Sequence, residues 1–340
     1  MNNIDQFFIS HIQKFVPSWS HLQSDDLRIT KTIGITNKTY IIEADATPSK
    51  IIFRHFGEVG VGLFLNREQE LHIARQVAKC KMGPHFYGHT QHVRLEEYIE
   101  NEVMSQESMK DPETYTLVAQ TLCKFHQIDI SGQMNDRTPL FEKHLQENSD
   151  FLQQVREKVC SNLFSEDERS ILSNMAHWFS EEEVKFLQSV LPKDDIVFSH
   201  NDLLANNILL IPPNFDKVVF IDFEYSSYNF RGFDIANYFN ESQFSYLNPN
   251  PPYFYIEEGM IDEDILKDFV KVYIEKSGLD LDYQNLLHQV YIGQLFSHFF
   301  WAAWGIIMAK SNDIVFDYLA FVEVRYHKYY QLKKHLFGKK

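Results

Sequence analysis

Apolar residues recur at helical spacing at Ile4, Phe7, Phe8, Ile12 and Phe15, and Pro17 ends the run, so the pattern predicts a packing or partner helix over 3–16. Alternation then takes over. Residues 27–43 (LRITKTIGITNKTYIIE) read as two strands about a bend at Gly34, Thr36 and Asn37, and 51–57 (IIFRHFG) as a third. A helix is predicted over 67–79, a turn-rich connection at 83–89 and a strand at 93–100. A polar linker runs to Asp111–Pro112, and an amphipathic helix over 113–128 turns Leu117, Leu122 and Phe125 inward. Residues 140–191 keep helical spacing, with Glu181–Glu183 as a solvated face and His126 upstream at a core edge. The pattern is α+β and bilobal: a small β-rich lobe over 1–100, and a larger, mainly helical lobe over 101–340.

One stretch, 291–309 (YIGQLFSHFFWAAWGIIMA), approaches the length of a membrane span. Gln294, Ser297 and His298 interrupt it and no polybasic flank orients it, so a buried helix is predicted and stable membrane insertion is not. The chain has 340 residues, 44% of them hydrophobic, enough for a sizeable core. Its net charge of −15 repels nucleic acid and anionic membranes and attracts metal ions and cationic substrates. Three unpaired cysteines and an N-terminus without a secretory pattern suit a cytoplasmic protein.

Candidate chemistry gathers in His200–Glu241. Asp202 and Asn207 lie in a polar loop between two apolar runs, with the spacing of the protein-kinase catalytic loop, H-R-D-x-x-x-x-N. A carboxylate there can accept a hydroxyl proton, and a neutral amide oxygen can help hold a metal without adding charge. Twenty residues on, Asp222 ends the strand VVFID and is the second candidate metal ligand. His200 is read as bracing the loop. Upstream, Arg54 sits between apolar residues of the third strand, where a charge needs a partner, and Glu70 on the 67–79 helix is the expected one. Gly34, Thr36 and Asn37 would lay backbone over nucleotide phosphates, and the backbone of Glu97–Ile99 would meet a purine edge.

HNDLLANNIL followed by IDFEYSSYNFRGFDIANYFNE resembles the signature of the choline/ethanolamine kinase family, a branch of the aminoglycoside-phosphotransferase and protein-kinase-like fold. The likeness extends from GITNK through MGPHFYG and RLEEYIE to the tryptophan helix near 300. It implies ATP, Mg²⁺, an O-phosphorylated amino alcohol and the homodimer frequent in the family. By the same resemblance Asp202 is the base, Asn207 and Asp222 hold metal, Arg54 and Glu70 grip phosphates, and Glu241 is an acid near the amino-alcohol pocket.

The choice of alcohol rests on aromatic residues. A trimethylammonium group has no N–H, so ring faces and a nearby carboxylate must recognise it. Trp301 and Trp304 share a helix face and resemble the family's pocket tryptophans, with Tyr246, Phe316 and Tyr318 also available. SSYNFRGFDI and Tyr246 favour choline. Phe321, where choline enzymes commonly have tyrosine, and Ser242, in place of a tryptophan, lean toward ethanolamine or dual use. A catalytically silent choline-binding scaffold and an aminoglycoside kinase are the rival classes. The first predicts a missing base or metal ligand, and the second an acidic pocket without paired tryptophans.

Overall fold

The structure is a computed structural model describing residues 3–32, 37–57, 67–130, 137–311 and 315–338. Helix α1 (Asn3–Phe15) precedes five strands, β1 (Arg28–Lys31), β2 (Asn37–Glu43), β3 (Lys50–Phe56), β4 (Phe86–His89) and β5 (Val93–Glu97), with helix α2 (Arg67–Lys79) between β3 and β4. The strands form one antiparallel sheet in the order β1-β2-β3-β5-β4. The expected turn-rich segment at 83–89 therefore contains an edge strand, since the aromatic pair Phe86 and Tyr87 favours the pleated surface over a loop.

Strand alternation gives the sheet two functions. Ile51 and Phe53 face α1, whose Phe7 and Phe8 rings meet Phe53 edge-on at 5.7 and 4.7 Å, in a cluster closed by Ile12, Trp19, Val93 and Leu95. α1 is thus a packing helix. Arg54, one residue along, points to the opposite face.

Beyond residue 104 the chain is mainly helical. Its centre is helix Tyr283–Met308, the segment long and apolar enough to span a membrane, which is 94% buried across its most apolar window. It packs closely on helix Gly232–Glu241: a Cβ on Gly232 would lie 2.5 Å from Cβ of Gln289, so only glycine permits the approach. That contact brings Asn237 to Trp301, whose indole N–H it accepts at 2.8 Å. Two details depart from the pattern. Leu117 is only half-buried, and Tyr115, Val118 and Ala119 complete the inward face of helix Pro112–Phe125. Glu183 is buried rather than solvated, because Lys333 contacts both its carboxylate oxygens at 2.7 Å and Tyr329 donates to it.

Candidate active site

Two short antiparallel pairs carry the polar loop: Ile196–Ser199 with Ser227–Phe230, and Ile208–Leu210 with Val218–Phe220. Between them Asn201 and Asp222 adopt left-handed backbone, φ 66° and 65°. Short polar side chains tolerate this region because they can bond locally. Asn201 is fixed on every side. Its N–H donates to Asp234 Oδ1 at 2.7 Å, its amide donates to Tyr225 O and Ser227 Oγ at 2.9 Å, and its Oδ1 accepts from Asn229 at 2.9 Å.

His200 braces the same loop. Its N–H donates to Asp234 Oδ2 at 2.7 Å, its Nε2 donates to Ile221 O at 3.0 Å, and its Nδ1 accepts from the Asp202 N–H at 3.3 Å. Burial lowers its pKa, in keeping with a neutral ring. Sequence reasoning missed Asn201 and Asp234. The available signal was the helix Gly232–Glu241: it is buried at every position, so Asp234 on it demanded partners.

Asn207 Nδ2 donates to Asp202 Oδ2 and to the Asp202 carbonyl, both at 2.9 Å, which leaves the amide oxygen available as a ligand. Burial, then the nearby Glu241, Asp222 and Glu224 carboxylates, push the Asp202 pKa well above the ordinary range. Asp222 goes the other way. Burial opposes its charge, but Arg54, with Nη1 3.2 Å from Oδ2, and Arg94 hold its pKa low. The Oδ1 of Asp222 is buried without a hydrogen-bond partner among the described residues. That orphaned oxygen, with the amide oxygen of Asn207, is a pair of hard donors that suits Mg²⁺. Among the described residues no group of three His, Cys, Asp or Glu could hold a metal, so phosphate oxygens and water would have to complete its shell.

The expected Arg54–Glu70 pair does not form. Arg54 Nη2 donates to Glu96 at 3.2 Å, while Glu70 accepts from Arg94 at 2.9 Å and from Arg67. The register explains this. Arg54 and Arg94 stand opposite each other on β3 and β5, an unfavourable like-charge pairing that Glu96 and Glu70 neutralise. Arg94 Nε also pairs with Glu96 Oε2 at 2.9 Å, so α2 connects to Asp222 through a chain of alternating charges.

Gly34 and Thr36 lie outside the described residues, and Asn37 opens β2 opposite Phe56. At the proposed purine edge the Glu97 N–H is already committed, donating to His85 O at 2.8 Å, and Ile99 O accepts from Asn101 at 2.6 Å. Both residues border a cavity of about 370 Å³ that also meets Lys79, Lys81 and Lys217.

The aromatic residues do converge. Trp301 and Trp304 meet edge-on at 5.7 Å, and each indole N–H is tied, Trp301 to Asn237 Oδ1 at 2.8 Å and Trp304 to the Tyr225 hydroxyl at 2.9 Å. Trp304 reaches Tyr318 at 5.7 Å and Phe321 at 6.2 Å, and Phe316 lies between Phe321 and Tyr246. Tyr246 donates to Glu241 at 2.7 Å. Tyr225, 5.2 Å from Trp301, and Arg325, bonded to Glu241, were not anticipated. An arginine among the apolar residues of helix Tyr318–Phe337 was the sign for the second.

A family model for choline/ethanolamine kinase matches residues 29–330. The chain is 32% identical to a probable choline kinase 3 of Arabidopsis thaliana, over 96% of its own length and 92% of that protein. It is 29% identical to a probable ethanolamine kinase A of Dictyostelium discoideum, over 94% and 89%. A choline kinase structure from Cryptosporidium parvum superposes with a TM-score of 0.79 at 24% identity, covering 97% of this chain and 96% of that one. The bilobal arrangement is accordingly the protein-kinase-like fold. The chain, a kinase, belongs to the choline/ethanolamine kinase family.

Proposed function

We propose that the chain phosphorylates the hydroxyl of choline, using ATP and Mg²⁺, and so supplies phosphocholine to the CDP-choline route in the cytoplasm. The observation that carries the choice of choline is the pair of indoles. With each N–H tied back into the chain, neither Trp301 nor Trp304 keeps a donor for a ligand, so only their rings could act on one, and rings suit a cation without N–H groups. Phe316, Tyr318, Phe321 and Tyr246 extend the same wall.

In the mechanism Asp202 aligns the choline hydroxyl and accepts its proton, a role favoured by a raised pKa. Asn207 fixes the orientation of that carboxylate through its 2.9 Å bond. Asp222 and Asn207 would hold Mg²⁺, which would offset charge on the phosphates. Arg54 grips phosphate from its place beside Asp222, where Glu96, and behind it Arg94 and Glu70, hold the guanidinium. Residues 1–100 form the nucleotide-binding lobe in this reading and 101–340 the catalytic and amino-alcohol lobe.

Ethanolamine is the second reading, supported by Phe321 and Ser242 and by relatives bearing both names. ADP release measured with choline, ethanolamine and kanamycin side by side tests the assignment. Turnover of choline above the others is expected. A higher kcat/KM for ethanolamine reverses the order, and Mg²⁺–ATP binding without turnover of any of them supports the silent scaffold.

A further inference from the structure

The acid expected to meet the substrate cation already holds a cation of this chain. Arg325 has no solvent exposure, donates to Glu241 Oε1, and lies 3.4 Å from the Tyr246 hydroxyl, which itself donates to Glu241 Oε2 at 2.7 Å. Its guanidinium carbon is 4.0 Å from the centre of the Phe244 ring and 4.7 Å from that of Phe321, so it sits in an aromatic and acidic niche of its own. Both Glu241 oxygens are thereby engaged, on a side chain only 2% exposed.

This changes what an incoming amino alcohol meets. A primary ammonium carries three N–H donors and gains most from an unpaired carboxylate, whereas a quaternary ammonium gains most from rings. With Glu241 neutralised, the rings are the larger attraction. We propose that Arg325 is a positioning residue that determines specificity: by fixing and neutralising Glu241 it tips the pocket toward a quaternary over a primary ammonium. This rests on the amino-alcohol reading above.

The test compares kcat/KM for choline and ethanolamine in Arg325→Met, Arg325→Lys and the double variant Arg325→Met/Glu241→Gln. Freeing the carboxylate in Arg325→Met is expected to raise the ethanolamine-to-choline ratio about tenfold or more, mainly through KM. Arg325→Lys keeps the wild-type ratio, and the double variant returns to it. A ratio in Arg325→Met within about twofold of wild type, or an equal change in the double variant, overturns the proposal. Should Arg325→Met not fold, Glu241→Gln decides. An unpaired Arg325 raises both KM values alike, and a selective loss of ethanolamine instead makes Glu241 a direct ligand and overturns the proposal. If the wild type turns over neither alcohol, the amino-alcohol reading fails separately. Methylammonium and tetramethylammonium, added as non-reacting probes, then read the same preference in each variant through the rise in melting temperature. Equal preferences in wild type and Arg325→Met overturn the proposal there too.

Discussion

Asp234 accepts the main-chain N–H of Asn201 at 2.7 Å on one carboxylate oxygen, and the adjacent N–H of His200 on the other at the same distance. A helix of the large lobe thus holds the backbone immediately before Asp202. Hydrogen bonds to a buried charge contribute about 1.5–3 kcal/mol each, so Asp234→Asn, which keeps one good acceptor, should cost on the order of 2 kcal/mol. The loosened loop should lower kcat more than it raises KM for ATP. Chemical denaturation and steady-state kinetics on one preparation check both parts.

Asp202→Asn should separate activity from stability. Removing a general base lowers kcat by about 10²–10⁴-fold. The fold should not suffer, because burial and the Glu241, Asp222 and Glu224 charges all oppose an ionised Asp202, and an amide relieves that repulsion. An unchanged or higher melting temperature is expected alongside the lost turnover. Near-wild-type turnover would remove Asp202 from its role.

The charge relay behind the sheet makes a prediction opposite to the one sequence spacing invites. Arg54 contacts Glu96 and Asp222, and Glu70 contacts Arg94 and Arg67. Double-mutant cycles should therefore give a coupling of about 1–3 kcal/mol between Arg54 and Glu96, and a smaller one between Arg54 and Glu70. Arg54→Lys should raise KM for ATP, since a single ammonium cannot span two carboxylates as a planar fork does. The opposite order of couplings would restore the direct pair.

These cases show where the sequence is legible. Asp202, Asn207 and Asp222 fall within one local segment, and spacing along two short strand pairs is enough to bring them together. The indole pair is equally readable, because residues three apart on a helix share a face. Partner choice is not. Glu70 and Glu96 are both acids within reach of Arg54, and only the β3–β5 register, which sets Arg54 against Arg94, assigns them. Asp234 and Arg325 escaped for a related reason. Their partners lie 33 and 84 residues away, so a polar residue on a buried helix face signals that a partner exists, while nothing local says which one.

Stability should fall with acid over a window set by buried imidazoles. Burial lowers the pKa of His126, His200 and His298, and burial with the neighbouring Lys143 lowers that of His144 from 6.5 to about 4. At His298 the Arg325 guanidinium, 3.4 Å from Nδ1, adds to the larger effect of burial. In each case the unfolded chain takes up a proton more readily than the folded one, so stability rises with pH wherever the two states differ in protons bound. For His144 the difference begins as pH drops through 6.5 and is complete below about 4. Screening at a partly buried site limits its share to about 1–2 kcal/mol. His144→Phe keeps the ring packed on Phe151, now 4.5 Å away, while removing the titration. Urea unfolding at pH 7, 5.5 and 4.5 should show a shallower loss of stability for this variant than for wild type. Parallel pH profiles for the two would mean that His144 ionises as freely in the folded protein as in the unfolded chain.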